Sequence, residues 1–172
     1  KEISKKAGFI VANEIFDAFS CEIIHKNQML TMVDHKPIWI DEIDPFVKEI
    51  ASRYGIVSGE IGLGYEAFAK ELFTAFEKSE FVTFDYGDID VRNDISARIY
   101  TKHKTYPLFD EEADLATLFA TSDITYDVHF GHLIDAFNES GYVHDKYQTL
   151  MVALNDFGIT ELLEVLQENV SD

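Results

Sequence analysis

The sequence predicts an α/β layered domain with a mixed sheet, helices packed on it and an inserted β-hairpin. Three observations carry this expectation. Residues 8–12, GFIVA, form a short apolar run of strand length. Two later segments repeat apolar residues at helical spacing, and the second leads directly into FVTFDYGD at 81–88, a strand pattern. Strands alternating with helices bury their apolar faces best as layers.

Taken in order, GFIVA suits a buried parallel strand ending at Asn13-Glu14, and EIFDAF then turns helical. The segments CEIIHK, MLTMV and PIWI within 21–40 read as β pieces with turns near Asn27 and Asp34-His35. They make the sheet mixed or form an attached subsheet. Ile43, Phe46, Val47, Ile50, Ala51 and Tyr54 share one helical face, with Asp44-Pro45 as cap and first turn and Gly55 as stop. Tyr65, Phe68, Ala69, Leu72, Phe73 and Phe76 repeat the spacing. Residues 94–103 extend as strand or loop, and a helix is expected near 110–119. DITYDV is extended, Phe130, Leu133, Ile134 and Phe137 mark a helix ended by Gly141, and two short helices near 147–156 and 159–168 follow.

Length and composition narrow the function. A chain of 172 residues with 47% hydrophobic and 27% charged residues fits a single domain, 1–172, with a real core. The net charge of −18 repels phosphate backbones, so nucleic acid is not expected as a partner; the charge is compatible with a basic protein partner, and its simplest reading is solubility alone. No run approaches the roughly 20 apolar residues of a membrane span, and the N-terminus has no signal-peptide pattern, so no membrane partner is expected. The single cysteine, Cys21, excludes an internal disulfide and fits a cytoplasmic setting. Lys1 stands where an initiator Met would, which points to a piece of a longer protein.

SGEIGLGYEAFAKEL, residues 58–72, imitates a cofactor loop. Glu60 precedes Gly62-Leu63-Gly64, a helix follows, and Asp85 lies 21 residues beyond Gly64, about where a ribose-binding acid often stands. The strand required before it is poor, because Gly55 and Gly59 flank only Ile56 and Val57 as strong β formers. Local features therefore favour a turn between two helices packed on one sheet.

Five segments, in order, resemble the MidA-like S-adenosylmethionine (SAM)-dependent methyltransferases, a family that includes a mitochondrial arginine methyltransferase supporting complex I assembly. They are GFIVANEIFDAF (8–19), GEIGLGYEAFAKELFTAFEKSEFVTFDYGD (59–88), ARIYTKH (97–103), DITYDVHFGHLIDAFNESGY (123–142) and QTLMVALNDFGITELL (148–163). The family often has Pro-Val where this chain has Ser20-Cys21, and His129 stands where an acidic residue is common. The resemblance implies a partial Rossmann-like class I methyltransferase fold. In it, 58–72 matches a helix near the sheet, and the true SAM loop lies upstream of the strand at 8–12. The chain would then be the C-terminal portion of the enzyme, with the SAM-loop half missing. SAM would be the cofactor of the intact enzyme only, would not bind this chain tightly, and the cofactor-binding residues would lie elsewhere. The intact enzyme would methylate a protein side chain, with arginine the leading candidate, and this portion would be inactive alone.

The resemblance implies that Asn13, Glu14 and Asp17 face the acceptor as catalytic residues. Ligands collect at the carboxyl ends of strands, and Glu14 suits bidentate pairing with a guanidinium. The structural alternative is that Asn13 caps a helix whose dipole Glu14 and Asp17 complement. Asp85 and Tyr86 end the next strand and would line the same cleft, or form only a strand–turn signature. Arg98, Tyr100 and His103 would form its far wall, or serve structure alone. His129 and His132 lie near Asp127, His144 and Asp145 without an established ligand spacing, and no metal is expected. A different class of function is a non-catalytic acidic interaction module, which could form a homodimer through an uncovered sheet edge.

Overall fold

The structure, a computed structural model, describes residues 6–34, 36–102, 104–110, 113–118 and 120–170. The chain opens with β1 (Ala7–Asn13), a single 3-10 turn (Phe16–Ala18), β2 (Cys21–His25), β3 (Gln28–Val33) and β4 (Lys36–Ile40). Helix α1 (Pro45–Tyr54), strand β5 (Ser58–Gly62), helix α2 (Tyr65–Ala75) and β6 (Lys78–Phe84) follow. Next come β7 (Gly87–Asp88), β8 (Arg98–Thr101), β9 (Lys104–Pro107), α3 (Leu115–Leu118), β10 (Asp123–Thr125) and β11 (Val128–His129). Helices α4 (Phe130–Ser140), α5 (Leu150–Asp156) and α6 (Ile159–Val170) close it.

The α/β class holds, with parallel and antiparallel pairing distributed, among the described residues, over four small sheets. β1 runs parallel to β6, in register from Ala7 opposite Lys78 to Asn13 opposite Phe84. Between them the chain builds an antiparallel sheet in the order β4-β3-β2-β5, so the hairpin expected at 21–40 gains a fourth strand. That strand corrects the reading of 58–64. Residues 58–62 pair with β2 from Cys21 opposite Gly62 to His25 opposite Ser58, and neither a helix nor a turn between helices occupies them. Gly55 closes α1 and lies outside β5, and Gly59 is tolerated within it because the strand pairs with β2 and buries Glu60 and Ile61.

The helix predicted after β1 is also corrected: only the 3-10 turn forms before β2 begins. The helix expected at 110–119 shrinks to the single turn of α3, with 111, 112 and 119 outside the described residues. Helix α1 matches its capping signals: the Asp44 carboxylate accepts from the Phe46 and Val47 N–H groups, and Gly55 closes the helix in the left-handed region.

Three apolar clusters hold these pieces together. Phe16, with no exposed surface, sits among Tyr65, Phe68, Phe81 and Phe137, joining the turn, α2, β6 and α4. Ile24 and Ile61 of the antiparallel sheet pack under Val47 and Ile50 of α1. Ile23 and Leu30, on the other side, pack against Ala97 and Tyr126. β1 departs from the buried strand expected: its exposure alternates, leaving Phe9 63% and Val11 57% exposed. Among the described residues β1 pairs only with β6, so its other edge is open.

Candidate active site at the ends of the parallel strands

The parallel pair ends at Asn13 and Phe84, and the chain leaving each strand is bound to the other. The Glu14 N–H donates to the Phe84 carbonyl at 2.8 Å. Glu14 itself has φ 51°, in the left-handed region that a non-glycine residue avoids. Asp85 then crosses back: one carboxylate oxygen accepts from the Phe16 N–H at 2.9 Å and the Asp17 N–H at 3.3 Å, and the other from the Tyr86 N–H at 2.9 Å. The cap expected of Asn13 is therefore not made by Asn13. The turn begins at Ile15 with no capping side chain of its own, and Asp85 serves it from 69 residues away.

Asp17 lies beneath this junction, 5% exposed, and its carbonyl accepts from the Tyr126 N–H. Burial raises its carboxyl above the usual range, and the charges of Asp85 and Glu14 push the same way against Arg98. Asp85 is raised too, by desolvation, against the three N–H groups it accepts.

Above the junction the side chains meet solvent. Tyr86 is 55% exposed, and its hydroxyl is raised first by the charge of Glu14, with desolvation and hydrogen bonding to Glu14 adding and Arg98 opposing. The Arg98 guanidinium lies 5.8 Å from the centre of the Tyr86 ring. Its Nε donates to the Tyr100 hydroxyl at 3.0 Å and its Nη1 to Asp127 at 2.6 Å. Arg92 also pairs with Asp127.

The structure thus brings together Asn13, Glu14, Asp17, Asp85, Tyr86, Arg98 and Tyr100. His103 lies outside the described residues. Arg98 and Tyr100 do not line the groove beside this junction, so the far wall expected of them is not formed there. Asp127 was missed as the partner of Arg98, because a lone acid in an extended segment carries no local signal; Arg98 is 29 residues away. Along the same strand face runs a groove of about 1030 Å³, lined by Phe9, Glu14, Thr83, Tyr86, Phe137 and Phe157 among others. A concave, largely apolar space with a few convergent polar groups is the usual form of a ligand site.

Other candidates resolve into structure. The His132 ring, 2% exposed, is hydrogen bonded to Glu66 at 2.8 Å, and the His129 ring packs against Tyr54 at 4.8 Å. No group of three or more potential metal ligands gathers among the described residues. Burial, with Glu60 and Glu22 adding, pushes the Cys21 thiol up to about 12, far from thiolate chemistry.

Gly62-Leu63-Gly64 does not fit a cofactor cradle. A side-chain carbon on Gly62 would fall 2.3 Å from the Tyr65 ring, so the space that glycine leaves is filled by the protein. Glu60 is buried and accepts from Ser96 and Ala97. Asp85, the would-be ribose acid, is engaged by three backbone N–H groups.

The family described as "Putative S-adenosyl-L-methionine-dependent methyltransferase" matches residues 1–148. The chain belongs to this family. Two solved structures from Burkholderia thailandensis resemble this family member in fold. One, described as a "likely methyl transferase" and bound to S-adenosyl-homocysteine, is 18% identical with a TM-score of 0.61, over 81% of this chain and 39% of its own. The other, a native structure of an uncharacterized protein of the same superfamily, is 17% identical with a TM-score of 0.58, over 82% of this chain and 41% of its own. The fold is therefore that of the Rossmann-like methyltransferases, and the chain spans about two fifths of these relatives' length. No curated protein matches the sequence. Among the described residues, no helix is long and apolar enough to cross a membrane.

Proposed function

We propose that this chain is the acceptor-side, C-terminal portion of a MidA-like SAM-dependent methyltransferase acting in the cytoplasm on a protein side chain, with arginine the favoured acceptor. The observation that carries the reading is Glu14. It stands at the carboxyl end of a parallel strand, in a left-handed backbone that only surrounding structure sustains, beside an exposed tyrosine and at the rim of a groove. Glu14 takes the guanidinium through two hydrogen bonds and orients its nitrogen, which is the main requirement of an in-line transfer. Asp17 lies too deep for that contact, and the Asp85 carboxylate is already engaged by three backbone N–H groups; they shape Glu14's turn and add negative field. Arg98 is neutralised by Asp127, so the junction as a whole favours a cation.

In this reading SAM supplies the methyl group from a cradle on the remainder of the enzyme. The open edge of β1 and the exposed Phe9 and Val11 support it, since a further parallel strand and its helix would cover them. This portion alone would be inactive.

The test is transfer of labelled methyl from SAM to arginine-containing proteins by the full-length enzyme. Glu14→Gln lowers kcat by about 100-fold or more with the unfolding midpoint retained. Equal labelling by wild type and variant would remove Glu14 from the reaction.

A further inference from the structure

Glu60, the acid of the SGEIGLG stretch, is not accounted for by the reaction and is 9% exposed. Its Oε1 accepts from the Ser96 N–H at 2.9 Å and the Ala97 N–H at 2.8 Å, and its Oε2 accepts from the Ser96 hydroxyl at 3.0 Å. The Ser96 Oγ in turn accepts from the Asp127 N–H at 2.8 Å. Asp127 holds Arg98 through Oδ1, and the Ser96 carbonyl accepts a longer bond from the same guanidinium at 3.4 Å. An unbroken line of hydrogen bonds therefore runs from β5 through Ser96 and Asp127 to Arg98, and ends at the rings of Tyr86 and Tyr100.

We propose that Glu60 is a positioning residue: through Ser96 and Asp127 it fixes the Arg98 guanidinium against Tyr86, which lines the acceptor groove. Three features of the geometry support this. A buried carboxylate with three donors is rigid, because losing any one leaves charge unsatisfied. Ser96 is placed so that one hydroxyl both donates to Glu60 and accepts from Asp127, making the two ends interdependent. Arg98 has a planar fork, so a small rotation of Asp127 breaks its bond or its stacking. Gly59 lets β5 lie close to the segment that carries Ser96: it approaches the Asp94 carbonyl, and a side-chain carbon there would sit 3.0 Å from it. The consequence for an acceptor rests on the function proposed above; the positioning itself does not.

The experiment is nitrogen-15 NMR of arginine-labelled protein at neutral pH. The chain has three arginines, so the Arg98 Nε–H resonance is assigned by its loss in Arg98→Lys. Donation to Tyr100 gives this proton slow exchange with water in the wild type. In Ser96→Ala, and separately in Glu60→Gln, it moves to the free guanidinium position and exchanges at least ten-fold faster. An unchanged Arg98 resonance in either folded variant, whatever the change in unfolding midpoint, would leave Glu60 a purely structural acid and overturn the proposal. Because the resonance is read without SAM or acceptor, it responds even if the full-length enzyme transfers no methyl group, and the two ideas fail separately.

Discussion

The carboxylate of Asp85 lies 2.9 Å from the backbone nitrogen of Phe16 and 3.3 Å from that of Asp17, and so binds the end of β6 to the turn that follows β1. This link places Glu14 at the rim of the groove, since Glu14 stands between β1 and the capped turn. Asp85→Ala removes the acceptor and leaves the Phe16, Asp17 and Tyr86 N–H groups without their partner. It is expected to cost about 1–2 kcal/mol, as loss of a helix cap does. Asp85→Asn keeps one acceptor oxygen and should cost less. Urea denaturation of the three proteins at one pH orders them.

Asp17 gives a pH prediction with a definite sign. Burial and its acidic neighbours raise its carboxyl in the folded state. A raised group contributes stability that is fully present below its unfolded value and is lost as pH rises through the folded one. At pH 7 the ionised Asp17 therefore weakens the fold. Asp17→Asn is expected to unfold at higher urea than wild type at pH 7, with the difference narrowing as the pH falls towards about 4. A difference that widened on acidification would reverse the assignment.

Phe16 has the largest expected effect in the core. Its ring touches five others, with the Phe19 centroid at 5.0 Å and Tyr65 at 5.5 Å, and nothing of it reaches solvent. Phe16→Ala is expected to lose about 3–5 kcal/mol, and Phe16→Leu clearly less. Equilibrium denaturation reads both.

Gly87 sits where β7 meets β11, with φ 150°, and a side-chain carbon would fall 2.0 Å from the Val128 carbonyl oxygen. The backbone must part for any other residue. Gly87→Ala is expected to destabilise by more than about 2 kcal/mol and to change the amide shifts of Tyr86 and Val128, whose backbones are hydrogen bonded at 2.8 Å.

Much of this fold is legible in local pattern. Helices α1 and α4 follow their apolar spacing and glycine stops, α2 follows its apolar spacing, and β2 and β3 flank the turn expected near Asn27, whereas His35 of the second turn lies outside the described residues. The failures share a cause. β5 is a strand because β2 pairs with it, a long-range condition that outweighs two poor β residues. The turn after β1 stays one turn long because the chain must enter β2 at Cys21 and because Asp85 caps it from a distance. The position of Asn13, Glu14, Tyr86 and Arg98 about one junction was accessible through strand ends and resemblance. Asp127, Ser96 and Glu60 behind Arg98 were not, because hydrogen bonds across about 30 or more residues leave no local periodicity.

On the function proposed above, this chain carries the acceptor side of a methyltransferase and the cradle for SAM lies on the remainder of the enzyme. Calorimetric titration of the 172-residue chain with SAM and with S-adenosylhomocysteine tests it most directly. The account predicts no saturable heat from either compound. Stoichiometric binding in the micromolar range would contradict it and would place a real cofactor site within these residues, with Gly62–Gly64 the first position to mutate.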